Sequence, residues 1–218
     1  MTHPTPKIPR PDSAETRAHA RADVVLAVSK ALADPSNAVA GLNGILERSG
    51  YSEEGVQPTF DSIDDLVVAI AERTAFLISQ PLARRVRPST VDDARDALIA
   101  FGRVAWQEYS TTLVGFVRMM MAEGRRNPAL KKRVFEAGPA FVTSKLREFL
   151  SEANEGGILS ISDAQLYAEQ LMGVLREPLY QALVLNPAAS QEGAVADRAK
   201  TSIERFVHGC ASARNATP

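Results

Sequence analysis

The sequence has 218 residues, of which 45% are hydrophobic and 23% are charged, so it can bury a substantial core. Its 25 basic and 26 acidic residues nearly cancel, which excludes the overall positive charge of many nucleic-acid-binding chains. The single cysteine, Cys210, excludes an internal disulfide framework, and we expect the reducing environment of the cytoplasm.

The amino-terminal stretch contains four prolines and lacks the apolar middle of a signal peptide. We predict that residues 1–12 form a disordered, extended arm that carries Lys7 and Arg10. The chain contains no run of about 18 apolar residues, so we expect no membrane span.

Apolar residues recur at helical spacing after this arm. The first predicted helix runs from about Ser13 to Ala33, and the second from about Asn37 to Ser49. Gly50 ends the second helix, because glycine takes the left-handed conformation at a helix end at little cost. Ser52 then caps a third helix of two turns at most, which Pro58 limits because proline lacks an amide donor.

A fourth helix begins near Ser62, which has the spacing of a capping box with Asp65, and continues to Pro81. The basic stretch at residues 82–90 ends in turn residues. It predicts a boundary between a first domain, residues 13–83, and a second domain, residues 84–218.

The second domain also has helical spacing. Asn127 and Pro128 have the pattern of a helix cap and a first-turn proline, and a kink is expected at Gly138-Pro139. Ser162 with Gln165 is expected to open a helix that is apolar nearly all round over residues 166–185. A last helix has one apolar stripe, formed by Val195, Ala199, Ile203, Phe206 and Cys210. The predicted fold class is all-α.

Two stretches carry a family resemblance. Residues Arg17–Leu32, Ile45–Gly50 and Ser52–Leu66 resemble the head of the TetR family of bacterial transcriptional regulators. The segments RMMMAEGRRNPAL, FEAGPAFVTSKLREFLSEANEGGIL and DAQLYAEQLMGVL resemble the AefR-like group of TetR carboxy-terminal domains. Together the two resemblances cover roughly residues 15 to 180.

The resemblance implies an N-terminal helix-turn-helix three-helix head for DNA binding, plus a C-terminal helical ligand-binding and dimerisation domain. It further implies a homodimeric, ligand-responsive regulator of the repressor type, which binds operator DNA with two heads. Such dimers read half-sites about 34–36 Å apart, or multiples of this distance. A small effector bound in the second domain would change the affinity of the heads for DNA, because the two binding equilibria are coupled.

The head is unusually acidic for this function. From Asn37 to Leu66 it has one basic residue, Arg48, and six acidic residues, which leaves a net charge of −5. Phosphate neutralisation supplies most non-specific DNA affinity, so two interpretations stay open. The head binds DNA with basic residues recruited from elsewhere, or it is degenerate, and the protein binds only a ligand or a partner.

The candidate DNA-contacting residues are Lys7, Arg10, Arg17, Arg21, Arg48, Tyr51, Ser52, Gln57 and Thr59. Among them, Gln57 is the candidate base reader, because glutamine can pair with adenine. Three of them also have a plainer interpretation: Arg48 as a solvated helix end, Tyr51 as a packing residue and Gln57 as an exposed glutamine.

Aromatic and methionine side chains recur at helical spacing in the second domain. Such stripes usually fill a core, but the resemblance implies that the same region walls a pocket. The candidate ligand-binding residues are Trp106, Tyr109, Leu113, Phe116, Met120, Met121, Phe141, Tyr167 and Met172. A pocket lined in this way would be mainly apolar, and so would its effector.

A helix that is apolar all round must be buried on two sides, and a second copy of the chain is the expected cover for one of them. The candidate dimer residues are Leu175, Leu179, Leu183, Ile203 and Phe206. The histidines are scattered without metal spacing and no nucleophile motif occurs, so we expect no metal, no cofactor and no enzymatic activity.

Overall fold

The computed structural model describes residues 14–37, 41–83, 87–123, 127–184 and 192–211. Over these ranges the backbone forms ten α-helices and no strand, with one isolated bridge between Leu159 and Ala211. The predicted all-α class is therefore confirmed. None of the described helices combines the length and the apolar character that a membrane span requires.

The helices follow one another with short connections. They are α1 (Ala14–Ala33), α2 (Leu42–Arg48), α3 (Glu53–Val56), α4 (Ile63–Ser79), α5 (Val91–Ser110), α6 (Thr112–Glu123), α7 (Pro128–Phe135), α8 (Phe141–Glu155), α9 (Ala164–Val184) and α10 (Glu192–Cys210).

The first of two compact units comprises the described residues up to Thr74 together with Thr111–Ala137. Within it, α6 packs against α1. Gly115 permits this approach, because a Cβ at that position would lie closer than 3.0 Å to the carbonyl oxygen of Leu32. The apolar core joins side chains of six helices and the α3–α4 turn: Val24, Val28, Leu32, Ile45, Leu46, Val56, Phe60, Leu66, Ile70, Phe116, Met119, Leu130 and Val134.

The second unit comprises the described parts of Ala75–Ser110 and Gly138–Pro218. In it α5 packs against α9 and α10, and α8 packs against α9. Its buried side chains include Leu98, Phe101, Ala105, Leu146, Phe149, Leu150, Leu171, Met172, Leu175, Ile203 and Val207. The apolar stripes of these amphipathic helices thus face one another, as the sequence periodicity requires.

The second helix begins at Leu42, later than the predicted start at Asn37. The side-chain amide of Asn37 donates a hydrogen bond to the carbonyl oxygen of Ala31 at 2.7 Å, so Asn37 is tied to the end of α1. Residues Pro35–Asn37 form a 3-10 turn instead.

The cap of α9 is Asp163, not the predicted Ser162. Its Oδ1 accepts hydrogen bonds from the backbone N–H groups of Gln165 and Leu166 at 2.9 and 3.1 Å. Aspartate and serine are about equally favourable at this position, so residue preference alone did not separate the two candidates.

The predicted irregularity at Gly138-Pro139 takes the form of a π-helical turn, Glu136–Ala140, between α7 and α8. Proline has no N–H group and collides with the preceding turn of a regular α-helix. A wider turn relieves both problems, so the helical path continues from α7 into α8.

The compact units and the predicted functional domains divide the chain differently. The prediction separates residues 13–83 from 84–218 in chain order, whereas α6 and α7 belong to the same unit as α1. Chain order alone does not reveal this, because the packing of α6 on α1 is a long-range contact.

Candidate nucleic-acid interface

A closed turn joins α2 to α3. Gly50 has a φ of 86°, the left-handed conformation expected of a glycine after a helix end. The N–H of Gly50 donates to the carbonyl oxygen of Glu47, and the N–H of Tyr51 donates to that of Leu46, both at 3.0 Å. These two bonds form a Schellman motif, which fixes the direction in which the chain leaves α2.

The amino end of α3 is capped by Ser52, whose Oγ accepts a hydrogen bond from the N–H of Gly55 at 3.1 Å. The helix is only four residues long, and Val56 is buried beneath it. Glu53, Glu54 and Gln57 are exposed. The outward face of α3 therefore offers two carboxylates and one amide.

The turn after α3 is held by backbone and side-chain bonds. The N–H groups of Thr59 and Phe60 donate to the carbonyl oxygen of Val56 at 2.9 and 3.0 Å. The guanidinium of Arg21 lies 4.2 Å from the centroid of the Phe60 ring, and its Nη1 donates to the carbonyl oxygen of Thr59 at 3.2 Å. Arg21, a predicted DNA contact, is thus bonded within the head.

Three further predicted DNA contacts have structural roles. Thr59 is only 1% exposed, so it cannot reach DNA in this conformation, and its prediction as a contact is wrong. The adjacent Phe60 is part of the apolar core, and Thr59 is buried beside it in the sequence. The hydroxyl of Ser52 is occupied by capping, and Tyr51 is half-buried and packs against the core.

The basic residues predicted to contact DNA differ in their hydrogen-bond partners. Arg17 is exposed on α1. Arg48 is exposed as well, but its Nη1 donates to the side chain of Asn37 and, at 3.4 Å, to the carbonyl oxygen of Ser36. It borders an open cleft of about 640 Å³ that Lys30 also lines. Lys7 and Arg10 lie outside the described residues.

The start of α4 is bonded to α7. The predicted capping box is present: the N–H of Asp65 donates to Ser62 Oγ at 3.2 Å, and the hydroxyl of Ser62 donates to Asp65 Oδ2 at 2.6 Å. Arg133 donates to Asp65 Oδ1, and Asn127 Nδ2 donates to Asp64 Oδ2 at 2.8 Å. The bonds from Ser62 and then from Arg133 lower the pKa of Asp65.

Two of the six acidic residues in the predicted head therefore have partners here: Asp64 bonds to the neutral cap residue Asn127, and Asp65 bonds to the cationic Arg133 of α7. A charge count along residues 37–66 misses Arg133, because it lies 68 residues beyond Asp65 in the sequence. With Arg133 included, the net negative charge of the folded head is smaller than the count over residues 37–66.

The candidate ligand-binding residues divide between the two units. Leu113, Phe116 and Met120 pack in or against the core of the first unit. Tyr109 and Met172 are buried in the second unit, where Trp106 and Tyr167 are half-buried. Met121 is 64% exposed and Phe141 39% exposed, so in the single chain these two do not line an enclosed cavity.

The candidate dimer residues also divide. Leu175 and Ile203 are only 3% and 1% exposed and pack over Gly102 of α5, so they belong to the core of their own chain. Phe206 is half-buried, edge-on to Tyr167 with 5.9 Å between ring centroids. The side chains of Leu179 and Leu183 lie outside the described part of the chain.

Among the described side chains of α9, other apolar residues are exposed. Leu166 is 46% exposed and Val174 is 49% exposed. They lie eight residues apart, which places them on one face of the helix. Helical spacing alone does not say which apolar side chains of this helix are covered by the chain itself.

The described residues hold no cluster of histidine, cysteine, aspartate and glutamate side chains that could bind a metal ion. Cys210 is buried, and desolvation raises the pKa of its thiol, which disfavours the reactive thiolate.

A helix pair joined by a glycine turn, with a short outward-facing second helix and a helical domain after it, defines the helix-turn-helix class of regulators. Residues 96–208, more than half of the chain, match the AefR-like transcriptional repressor C-terminal domain. The chain belongs to the TetR family of transcriptional regulators. The resemblance read from the sequence is confirmed.

Solved structures share the fold. A protein from Mesorhizobium loti MAFF303099 that is assigned to the TetR family has a TM-score of 0.65 and 17% identity, covering 89% of this chain and 98% of that one. SmeT, the repressor of the Stenotrophomonas maltophilia multidrug efflux pump SmeDEF, has a TM-score of 0.58 and 19% identity, covering 91% and 93%.

RolR in complex with resorcinol has a TM-score of 0.51 and 16% identity, covering 92% of each chain. At these identities the structures are evidence for the fold alone. Comparison with curated proteins gives no significant match.

Proposed function

We propose that the protein is a cytoplasmic, homodimeric repressor that binds operator DNA and responds to a small, mainly apolar effector. The observation that carries the proposal is the α2–turn–α3 geometry in a TetR-family chain. The Schellman turn at Gly50 and the Ser52 cap present the outward face of α3, as groove reading requires.

The chemistry of that face suggests what it would read. Gln57 can pair with adenine, and the carboxylates of Glu53 and Glu54 can accept from the amino group of cytosine. Carboxylates repel phosphate, so the phosphate contacts must come from other elements. Arg17, which is exposed on α1, is a candidate phosphate contact within the described part of the chain. Lys7 and Arg10, on the predicted arm, remain proposed phosphate contacts as well.

Few phosphate contacts would give DNA binding an unusually weak salt dependence. Each neutralised phosphate contributes about −0.9 to the slope of log K against log salt on duplex DNA. A protein that holds its site with few such contacts loses less affinity at higher salt than a strongly basic head does.

The effector proposal is supported by the apolar and aromatic side chains of the second domain. Trp106 and Tyr167 are half-buried and Tyr109 and Met172 are buried in the same unit, and aromatic and thioether side chains of this kind suit a small ring compound. Because the similar RolR was solved with resorcinol, phenolic compounds are suitable first probes.

The dimer proposal is supported by the exposed apolar side chains of α9. Leu166 and Val174 lie on one face of the helix, beside residues that are already buried in the chain's own core. A second copy would cover them from outside and hold the two heads at a fixed spacing.

The function is tested by selecting binding sequences from a random duplex library with the full-length protein at about 50 mM salt, then measuring their affinity at about 150 mM. We expect an enriched, pseudo-palindromic site, and we expect Gln57→Ala to relax the preference at one base pair per half-site. Enrichment of no sequence, with intact dimers that still bind a phenolic probe, would instead support the degenerate-head alternative.

A further inference from the structure

Arg21 joins the middle of α1 to the turn that follows α3. Its guanidinium makes two contacts there: the stack on the Phe60 ring at 4.2 Å and the hydrogen bond from Nη1 to the carbonyl oxygen of Thr59 at 3.2 Å. The two partners are adjacent in sequence, and they lie 38 and 39 residues beyond Arg21. The Arg21 side chain therefore holds this turn by two contacts, one to a ring and one to a carbonyl oxygen.

The turn needs such support because α3 is short. A helix of four residues, Glu53–Val56, has almost no intrinsic stability, since helix nucleation costs more than one turn of hydrogen bonds returns. Its amino end is held by the Ser52 cap. Its carboxyl end is held by the bonds from Thr59 and Phe60 to Val56, and by the burial of the Phe60 ring.

We infer that Arg21 is a positioning residue, which fixes the angle of the α3 reading face through Phe60 and Thr59 and makes no phosphate contact. The inference rests on the proposed function for its DNA consequence. Arg21 is half-buried, whereas Arg17, one helical turn earlier on α1, is exposed. The two arginines therefore form a matched pair, one bonded inward and one free to meet phosphate.

Arginine is the residue type that this arrangement requires. A planar guanidinium can stack on a ring by one face and donate from its edge at the same time. A lysine ammonium is a compact charge and cannot make both contacts in one position. Arg21→Lys therefore keeps the positive charge but cannot keep both the ring contact with Phe60 and the hydrogen bond to Thr59.

The first test measures amide hydrogen exchange of Thr59 and Phe60 in the free full-length protein. A hydrogen bond from a charged donor plus a stacked ring is strong enough for Arg21→Met to accelerate this exchange about tenfold. We expect an intermediate acceleration for Arg21→Lys and none for Arg17→Met. Unchanged exchange at Thr59 and Phe60 in Arg21→Met would overturn the inference.

The second test measures affinity for the selected DNA site over a range of salt concentrations. We expect Arg21→Met to weaken binding about tenfold at every concentration with an unchanged salt slope, because a positioning residue releases no counterion. A fall in the slope by about 0.9 per protomer would identify a phosphate contact and contradict the inference.

Phe60→Leu provides a second variant in case Arg21→Met fails to fold. It removes the ring and keeps the arginine, and we expect the same faster exchange at Thr59 with the same unchanged slope. If the unmodified protein selects no DNA, the proposed function fails, and the exchange measurement alone decides whether Arg21 holds the turn.

Discussion

At the scale of single residues, Gly50 carries the turn between α2 and α3. Its φ of 86° is a conformation that residues with a Cβ adopt at a cost. We expect Gly50→Ala to destabilise the protein by about 1–2 kcal/mol in urea denaturation. Gly209→Ala is the control, because Gly209 is exposed in α10 with no atom within 4 Å of an added Cβ. Equal effects of the two substitutions would contradict this account.

Asp65 links stability to pH. Hydrogen bonds from Ser62 and Arg133 lower its pKa from 3.8, so the folded protein binds the proton less readily than the unfolded chain. The stabilisation is therefore present above about pH 4 and is lost as the pH falls through the folded-state pKa. We expect Asp65→Asn and Arg133→Gln to reduce the loss of stability between about pH 5 and pH 3. Urea denaturation of the variants and the unmodified protein at both pH values measures this, and an undiminished loss would count against the bond.

At the scale of helices, the contact of α6 with α1 depends on Gly115. A Cβ there would collide with the backbone carbonyl of Leu32, which cannot rotate away as a side chain can. We expect Gly115→Ala to destabilise the protein by about 1–3 kcal/mol, the usual cost of overpacking. Thermal or urea unfolding measures this.

Gly209→Ala is the helical control here too, because no atom lies within 4 Å of an added Cβ in that position. We expect it to be neutral or stabilising by up to about 1 kcal/mol, since alanine favours helices. A neutral Gly115→Ala would show that α6 and α1 can separate freely.

The helices illustrate what the sequence could predict. The Gly50 turn, the Ser62–Asp65 box and the irregularity at Gly138-Pro139 depend on residues close together in the chain, so local patterns identify them. The predicted start of α2 was wrong because the hydrogen-bond partner of the Asn37 side chain, Ala31, belongs to the preceding helix.

The candidate site was harder to predict for the same reason. Arg21 and Arg48 look like phosphate contacts in sequence, and their bonds to the turn after α3 and to Asn37 appear only in three dimensions. Leu175 and Ile203 are apolar on a helical stripe, but a stripe does not reveal whether its cover is the chain's own α5 or a second copy.

At the scale of the whole molecule, the proposed dimer depends on Leu166 and Val174, two exposed apolar side chains of α9. We expect Val174→Glu to dissociate the dimer in sedimentation experiments at micromolar concentration, because it would bury a carboxylate without a partner. Leu26→Glu is the control, since Leu26 is similarly exposed on α1 in the first unit. A dimer that withstands Val174→Glu would place the interface elsewhere.

Dimeric operator binding is tested most directly by the mass of the complex between the full-length protein and its selected duplex site, determined by analytical ultracentrifugation. We expect two protomers on each specific site, bound together. Specific binding by one protomer would contradict the dimeric reader, and equal binding to unrelated duplexes would contradict operator recognition itself.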